Sequence, residues 1–453
     1  MHILDKILEI YQKYSICTYC LGRMFGLLGT NTTNYERGYS LLLTLVISSH
    51  KNYLSENKKN REKAIQTLKL LAENSKFIPA QKVLEKEGIE YSKSILNKPC
   101  YLCHDIFLNL HKYVEKADET SKNLEFTTFL CGTSSDSQLI NREDIFKAEY
   151  KLLESESFKT HFNREVGKLL SNKLNKKPDF ENPDVLFIFS LDYDHFKIEL
   201  MIRSLFIRGR YNKFLRGIPQ TKWYCRTCQG KGCEKCNFTG KQYEISIEEL
   251  ISPIFVLESK SSSSKFHGAG REDIDVRMLG NGRPFIIELK NPAIRSLDLY
   301  RITIKINEQN LDKVKISNLK YSNKQEVIKL KEDAENTKKT YCALVESNIE
   351  SNINEFNNKL KIIKNRLENN TISQKTPNRV LHRRSDLIRE KMVYNINGTF
   401  INTISFKFII EAQGGTYIKE LISGDNGRTS PSISELFGND LICKELDVID
   451  INY

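Results

Sequence analysis

The sequence predicts a mixed α+β chain: a helical, cysteine-bearing N-terminal region, an α/β middle, and a β-rich C-terminal half with a mixed sheet flanked by helices. Three observations predict this. At 453 residues the chain exceeds what one core supports, so two or three domains are expected. Apolar residues recur at helical spacing up to about Lys116. Beyond Lys265 they bunch into short runs rich in β-branched and aromatic residues.

In the N-terminal region, Ile65, Leu68 and Leu71 share one helical face between Ser55 and Phe77. The longest apolar run, Leu41–Ile47, fits a buried helix turn and is far too short to span a membrane. The first residues lack the charged-then-apolar pattern of a signal peptide, which predicts a cytoplasmic protein with no membrane partner.

Eight of the eleven cysteines form four C-x-x-C pairs. In a reducing cytosol such pairs read as metal ligands rather than disulfides. The tight turn aims two thiolates at one tetrahedral ion, and two pairs close the site. Cys17/Cys20 follow the helical "ILDKILEIYQKY", and Cys100/Cys103 precede the helical "HDIFLNLHKYVEKA". One structural Zn²⁺ stapling two helices is the expectation, against four buried free thiols. Cys225/Cys228 and Cys233/Cys236 lie in "WYCRTCQGKGCEKCNFTGK", where Gly230, Gly232 and Gly240 permit sharp turns. Only four residues separate these two pairs, so a zinc knuckle and a knuckle held by tertiary contacts alone both stay open.

The middle opens on the strand "EFTTFLC" and the helix "FNREVGKLLSNKL", followed by a hairpin of two apolar strands around Asp192–His195. Next, "RGRYNKFLRGIPQTKW" interleaves Arg208, Arg210, Lys213, Arg216 and Lys222 with Tyr211, Phe214 and Trp223. Basic groups neutralise phosphates and aromatic faces stack on bases, so the stretch reads as a nucleic-acid surface. A solvated basic linker is the plainer alternative. The net charge of +12 agrees with a polyanionic partner.

In the C-terminal half, "KSSSSK" reads as a loop, and "RPFIIELKNP", "YRITIKI", "TYCALVE", "FKFIIEAQGG" and "LDVIDI" read as strands. A charged helix, Asn352–Asn370, and a basic segment, Gln374–Lys391, interrupt them. "GREDIDVRMLGNGRPF" places Asp273 and Asp275 between arginines in a turn leading into a strand. On a strand-like segment the two would share a face, so if both enter one site an arginine must neutralise one of them. Arg271 and Arg277 are the candidates.

"GAGREDIDVRMLGNGRPFIIELKNP", "TYCALV", "QKTPNRVLHRRSDLIREK" and "EAQGGTYIKELISGDNGRTSPSISELF" together resemble the family of tRNA pseudouridine synthases acting on positions 54 and 55 of the T arm in archaea and eukaryotes. The likeness spans nearly the whole chain. The order helix, Pro-Asp-Val strand, hairpin and "GRYNKFLRG" resembles the end of a THUMP domain, an RNA-binding module. "CRTCQGKG" also resembles the repeats of DnaJ-type chaperones, but those need several repeats and this chain has one.

The resemblance implies the following. A helical zinc-binding region covers 1–110, a THUMP-like domain 111–215, a Cys-rich linker 216–243 and the catalytic domain 244–453. The partner is the T arm of tRNA, with no obligate protein partner. Catalysis needs no cofactor, and zinc is structural. Asp275, with Gly280 five residues on, matches the catalytic aspartate, and Asp273 in "GRED" is its competitor. Lys419 in "GTYIK" stands where a cation pairs with that aspartate, and Tyr417 and Ile418 line the base pocket. Tyr341 stacks on the target uracil, its hydroxyl within reach of Asp275, and Leu446 packs beneath the site. Arg208 and the segment 374–391 meet the RNA. Two rivals are a non-catalytic THUMP-type tRNA-binding adaptor and a C-x-x-C redox or chaperone protein. The second leaves the C-terminal half unexplained.

Overall fold

The computed structural model describes residues 3–93, 98–135, 137–192, 195–333 and 337–452. The chain divides into two compact units, Met1–Arg203 and Ser204–Tyr453.

In the first unit, five helices come first: α1 (Ile3–Lys13), α2 (Thr18–Met24), α3 (Asn34–Tyr53), α4 (Lys58–Asn74) and α5 (Ile78–Lys86). They are followed by α6 (Leu110–Ser121), β1 (Thr128–Ser135), α7 (Ser137–Glu149), α8 (Phe158–Leu174), β2 (Lys177–Pro178), β3 (Val185–Leu191) and β4 (Phe196–Ile202). The helix starts follow local chemistry. Thr33 and Glu36 form a capping box on α3, and the Ser157 side chain caps α8. The strands order β2-β1-β3-β4, with β1 and β3 parallel and β3–β4 the expected hairpin. One apolar core joins the helices to this sheet. The fully buried Arg23 forms an ion pair with Glu143, which also bonds Lys147 at 2.5 Å.

The second unit holds β5 (Leu205–Lys213), α9 (Ile247–Ser259), β6 (Ser263–Gly268), β7 (Arg277–Lys290), α10 (Leu299–Gln309), β8 (Val314–Ser322), α11 (Lys324–Glu332) and β9 (Lys338–Ser347). It continues with α12 (Ile353–Leu367), β10 (Asn370–Lys375), β11 (Ile388–Asn402), β12 (Ser405–Gln413), α13 (Ile418–Ser423), β13 (Thr429–Ser430), α14 (Ile433–Phe437) and β14 (Leu441–Asn452). Among the described residues these strands form one mixed sheet in the order β13-β10-β11-β12-β9-β14-β7-β5-β8, with β6 also paired to β7. β14 is the hinge of this order. It runs antiparallel to β9 over most of its length and parallel to β7 at Asp447/Arg277 and Val448/Met278.

Three features differ from the sequence reading. "YRITIKI" is the helix α10, not a strand. Asp298 accepts a hydrogen bond from the Arg301 amide at 2.9 Å as its N-cap, and Ile302 and Ile306 bury one helical face. The alternation of that stretch satisfies both periods, and the cap decides. The loop read at "KSSSSK" already enters β6 at Ser263. Residues 205–213, expected to close the THUMP-like part, are β5 inside the second unit's sheet, paired with β7 and β8.

Gly280 shows how tightly β7 and β14 meet. Its φ is +56°, and a Cβ there would lie 1.8 Å from the Ile449 carbonyl oxygen. Gly280→Ala should therefore cost more than about 1 kcal/mol, from positive φ and steric clash together. The expected reading is a lower urea midpoint at unchanged slope.

Candidate active site

The site forms where the acidic turn 271–276 enters β7. Two layers hold the turn. Beneath it, Glu272 is buried with its carboxylate 2.8 Å from the Arg283 guanidinium and accepting from the Tyr211 hydroxyl at 2.9 Å. Gln220 donates to that hydroxyl at 2.8 Å and to the Gly270 carbonyl at 3.0 Å. The fully buried Lys213 ammonium donates to the carbonyls of Ile218 and Ile274 at 2.8 and 2.9 Å, and more weakly to Asp273. Arg216 reaches the carbonyls of Asp275 and Leu446 at 2.9 and 2.8 Å, and the Gly217 amide donates to Ile274.

The two aspartates separate, because 271–276 is a turn and not a strand. The Val276 amide bonds back to the Asp273 carbonyl at 3.1 Å. Asp275 lies 2.6 Å from the Lys419 ammonium. Asp273 lies 2.9 Å from Arg379, which also holds Glu420 at 2.6 Å. Partial burial alone would raise the Asp275 carboxyl. The Lys419 hydrogen bond and charge, with Arg379 adding to them, outweigh it and hold the group below the usual carboxylate range. The Asp275 side chain is 60% exposed, so the ionised group faces an open site.

Neither arginine first considered for neutralising these carboxylates is placed on Asp275. Arg277 makes a bidentate pair with Asp447 at 2.9 and 2.6 Å, and the Arg271 guanidinium lies 5.1 Å from the Trp223 ring centre.

Val276, Tyr341, Ile418 and Leu446 share one buried cluster next to the ion pair. Burial, opposed by Arg283 and aided by Asp273, pushes the Tyr341 phenol up to about 12, so it keeps its proton at neutral pH. Among the described residues the Tyr341 hydroxyl makes no hydrogen bond to Asp275. Tyr417 is the N-cap residue of α13. Its backbone amide and carbonyl are both held by the Gln374 side chain, at 2.9 and 3.0 Å, and its hydroxyl accepts from Arg384 at 2.7 Å.

These positions lie in segments that match known proteins. A family model described as "Pus10, C-terminal" matches residues 206–452, and one described as "Pus10 THUMP domain, archaeal" matches 113–190. A Methanocaldococcus jannaschii protein named tRNA pseudouridine synthase Pus10 is 43% identical over 448 residues, spanning 98% of this chain and 93% of its own length. Its namesake from Pyrococcus furiosus is 34% identical over 451 residues, spanning 99% and 98%. The chain belongs to the Pus10 pseudouridine synthase family. Among solved structures, a chain of a Cbf5-Nop10-Gar1 complex aligns over 54% of this chain and 48% of its own at 15% identity and TM-score 0.28, too low to decide anything.

Both cysteine groups of this Pus10-family chain fit zinc. A tetrahedron with Zn–S of about 2.3 Å has S–S edges of about 3.8 Å. Cys17 and Cys103 sulfurs are 3.7 Å apart, and with Cys20 and Cys100 all four thiols are buried within 4.8 Å of one another. The short knuckle is equally well formed. Cys225–Cys233 and Cys228–Cys236 are 3.8 Å apart, and the amides of Gly232 and Gly240 point at the Cys228 and Cys236 sulfurs. Gly232 has φ +90°, and its Cβ would lie 2.9 Å from the Phe238 carbonyl, so the sharp turn needs glycine.

Part of the basic-aromatic stretch is turned inward rather than presented as a surface. Tyr211, Lys213 and Arg216 are spent on the acidic turn, and Arg210 donates to the carbonyls of Asn281, Gly282 and Ile451. Arg208 lies on the opposite face of β5, 3.6 Å from Glu326, in a cavity of about 720 Å³ that does not include Asp275. In the segment 374–391, Arg379 and Arg384 likewise turn inward, onto Asp273, Glu420 and Tyr417. The Arg383 side chain lies outside the described residues. Sequence reasoning missed Glu272, Arg283, Gln220, Gln374 and Asp447, which act through other residues of the site.

Metal analysis should find two zinc ions per chain, one for each four-cysteine group. The double variant Cys233→Ser, Cys236→Ser should carry one. It should also exchange amides faster over 270–276, because residues 213–220 at the root of the knuckle hold that turn. Unchanged exchange there would show that the knuckle and the turn are independent.

Proposed function

We propose that this chain isomerises uridine 54, uridine 55 or both in the T loop of tRNA to pseudouridine, with Asp275 as the catalytic carboxylate. The observation carrying this reading is the 2.6 Å Lys419–Asp275 pair, set against the Tyr341, Ile418 and Leu446 floor. Family membership supports the reaction, since the relatives named above carry the name tRNA pseudouridine synthase.

The reaction breaks the C1′–N1 bond of uridine, turns the uracil and joins C5 to C1′. The C5 proton is lost and N1 gains one, so atoms and electrons balance without a redox partner. An ionised carboxylate beside the ribose and base serves as nucleophile at the sugar or as base. Lys419 keeps Asp275 charged where burial would neutralise it. Tyr341 and Ile418 offer an apolar wall that holds the detached uracil against escape. Tyr417, fixed by Gln374 and Arg384, closes its edge. A uracil in a folded loop must first leave its stack, which costs a few kcal/mol, recovered from contacts along the RNA. We assign that binding to the THUMP-type part of the first unit together with exposed basic groups of the second. Zinc takes no part in the bond changes.

Mapping pseudouridine in T-loop transcripts treated with purified protein tests the reading. Asp275→Asn should give no product yet bind tRNA as wild type does, whereas Asp273→Ala should keep measurable activity. Product from Asp275→Asn under single-turnover conditions would refute the assignment. The acid limb of the rate should fall below the ordinary carboxylate range, because the depressed Asp275 group stays ionised until pH drops through its lowered value. Lys419→Met should move that limb to higher pH. No movement would mean that another group sets it.

A further inference from the structure

Lys339 is out of place by charge. It lies on β9 two residues before Tyr341, on the same face, and is only 6% exposed. Among the described residues its side-chain ammonium makes no hydrogen bond or ion pair. The charged groups acting on it are Arg283, Glu272 and Lys391. Glu272 is already taken up by Arg283 and Tyr211, and the 6%-exposed Lys391 donates to the Gly414 carbonyl at 3.0 Å. Three cations and one carboxylate share a low-dielectric place, and a buried ammonium without a partner is costly. Burial, with the repulsion of Arg283, brings the Lys339 ammonium down to about 7.

Two exposed glycines cover these cations. A Cβ on Gly270 would lie 3.3 Å from Arg283 Nη1 and 3.5 Å from Lys339 Nζ. A Cβ on Gly415 would lie 3.2 Å from Lys391 Nζ. Both glycines have positive φ, +74° and +87°, and both stand in the loops that lead to Asp275 and to Lys419. The cations therefore lie one atom layer below the surface, where the two catalytic loops begin and where side chains are absent.

We propose that Lys339, supported by Lys391 and Arg283, forms an anion site for a phosphodiester of the RNA next to the flipped uridine. The proposal rests on the functional reading above and adds a positioning residue to it. A phosphodiester carries a full charge at every stage of the reaction, so it balances a deficit already present in the free protein. Uracil gains charge only in passing. Backbone that curls through positive φ at glycine is also suited to approach a phosphate closely.

The test uses T-arm stem-loop RNAs with single methylphosphonates, which remove the charge, on either side of the target uridine. Wild-type protein should lose about tenfold or more in affinity with one of them, the worth of one hydrogen bond to a charged group. Lys339→Met should bind the unmodified RNA that much more weakly, show a salt slope smaller by about 0.7, and be indifferent to the same methylphosphonate. It should also melt no lower than wild type without RNA, since the substitution removes an uncompensated buried charge. If Lys339→Met responds to the methylphosphonate as wild type does, or wild type ignores every methylphosphonate, the inference is overturned. A lower melting point for Lys339→Met would likewise overturn it, by showing that Lys339 supports the fold. Failure of wild type to convert the unmodified RNA counts instead against the functional reading.

Discussion

The buried ion pair of Glu272 with Arg283 is the constraint on which the site depends. An acidic turn at the start of a strand has no reason to hold one shape, since its charges repel and its backbone lacks ladder partners. Here one of its carboxylates is sacrificed to the interior, where Arg283 and the Tyr211 hydroxyl fix it. The Lys213 ammonium, spread over carbonyls, does the same for the backbone. A buried charge pair of this kind contributes little net stability, because desolvation offsets attraction. What it supplies is position: the turn cannot shift without leaving a charge unpaired.

With the turn fixed, the remaining electrostatics become a matter of pairing each acid with its own cation. Asp275 takes Lys419, Asp273 takes Arg379, and Asp447 takes Arg277 and Arg216. The pairs differ in exposure. Asp447 is mostly covered and held by two guanidinium groups, one of them bidentate, which suits a structural joint. Asp275 is largely open and held by a single ammonium, a point charge on a flexible stem. That combination leaves the carboxylate open to solvent while keeping the group ionised.

Much of this was legible in the sequence, and the exceptions share a cause. Asp275, Gly280 and Lys419 stood out because their spacing and type match a family motif, and the fold does pair Asp275 with Lys419. The grouping of the eight paired cysteines was legible because C-x-x-C brings two thiols to one point, and the fold gathers the pairs into two four-cysteine groups. Within the stretch from Arg208 to Trp223, Lys213 and its buried neighbours were not told apart from the rest, because a lysine bound for backbone carbonyls and a lysine bound for phosphates look alike in one dimension. Only the alternation of β5, which buries Tyr211 and Lys213 and turns Arg208 away, separates them. Gln374 and Asp447 carried no signal at all. Their roles exist only because β10 and β14 arrive beside segments far away in sequence.

The place of β14 in the sheet has a consequence for how the protein matures. It lies between β9 and β7 and follows every other strand in sequence. Asp275 precedes β7 on one side of it, while Tyr341, Arg379 and Lys419 belong to the other. Each half-sheet has local pairings from which to condense, but their union waits for a strand of high sequence separation, the slow kind of contact. Until β14 docks, the aspartate and its ammonium lie on separate halves. A partly folded chain that lacks a docked β14 would therefore keep Asp275 and Lys419 apart, on separate half-sheets.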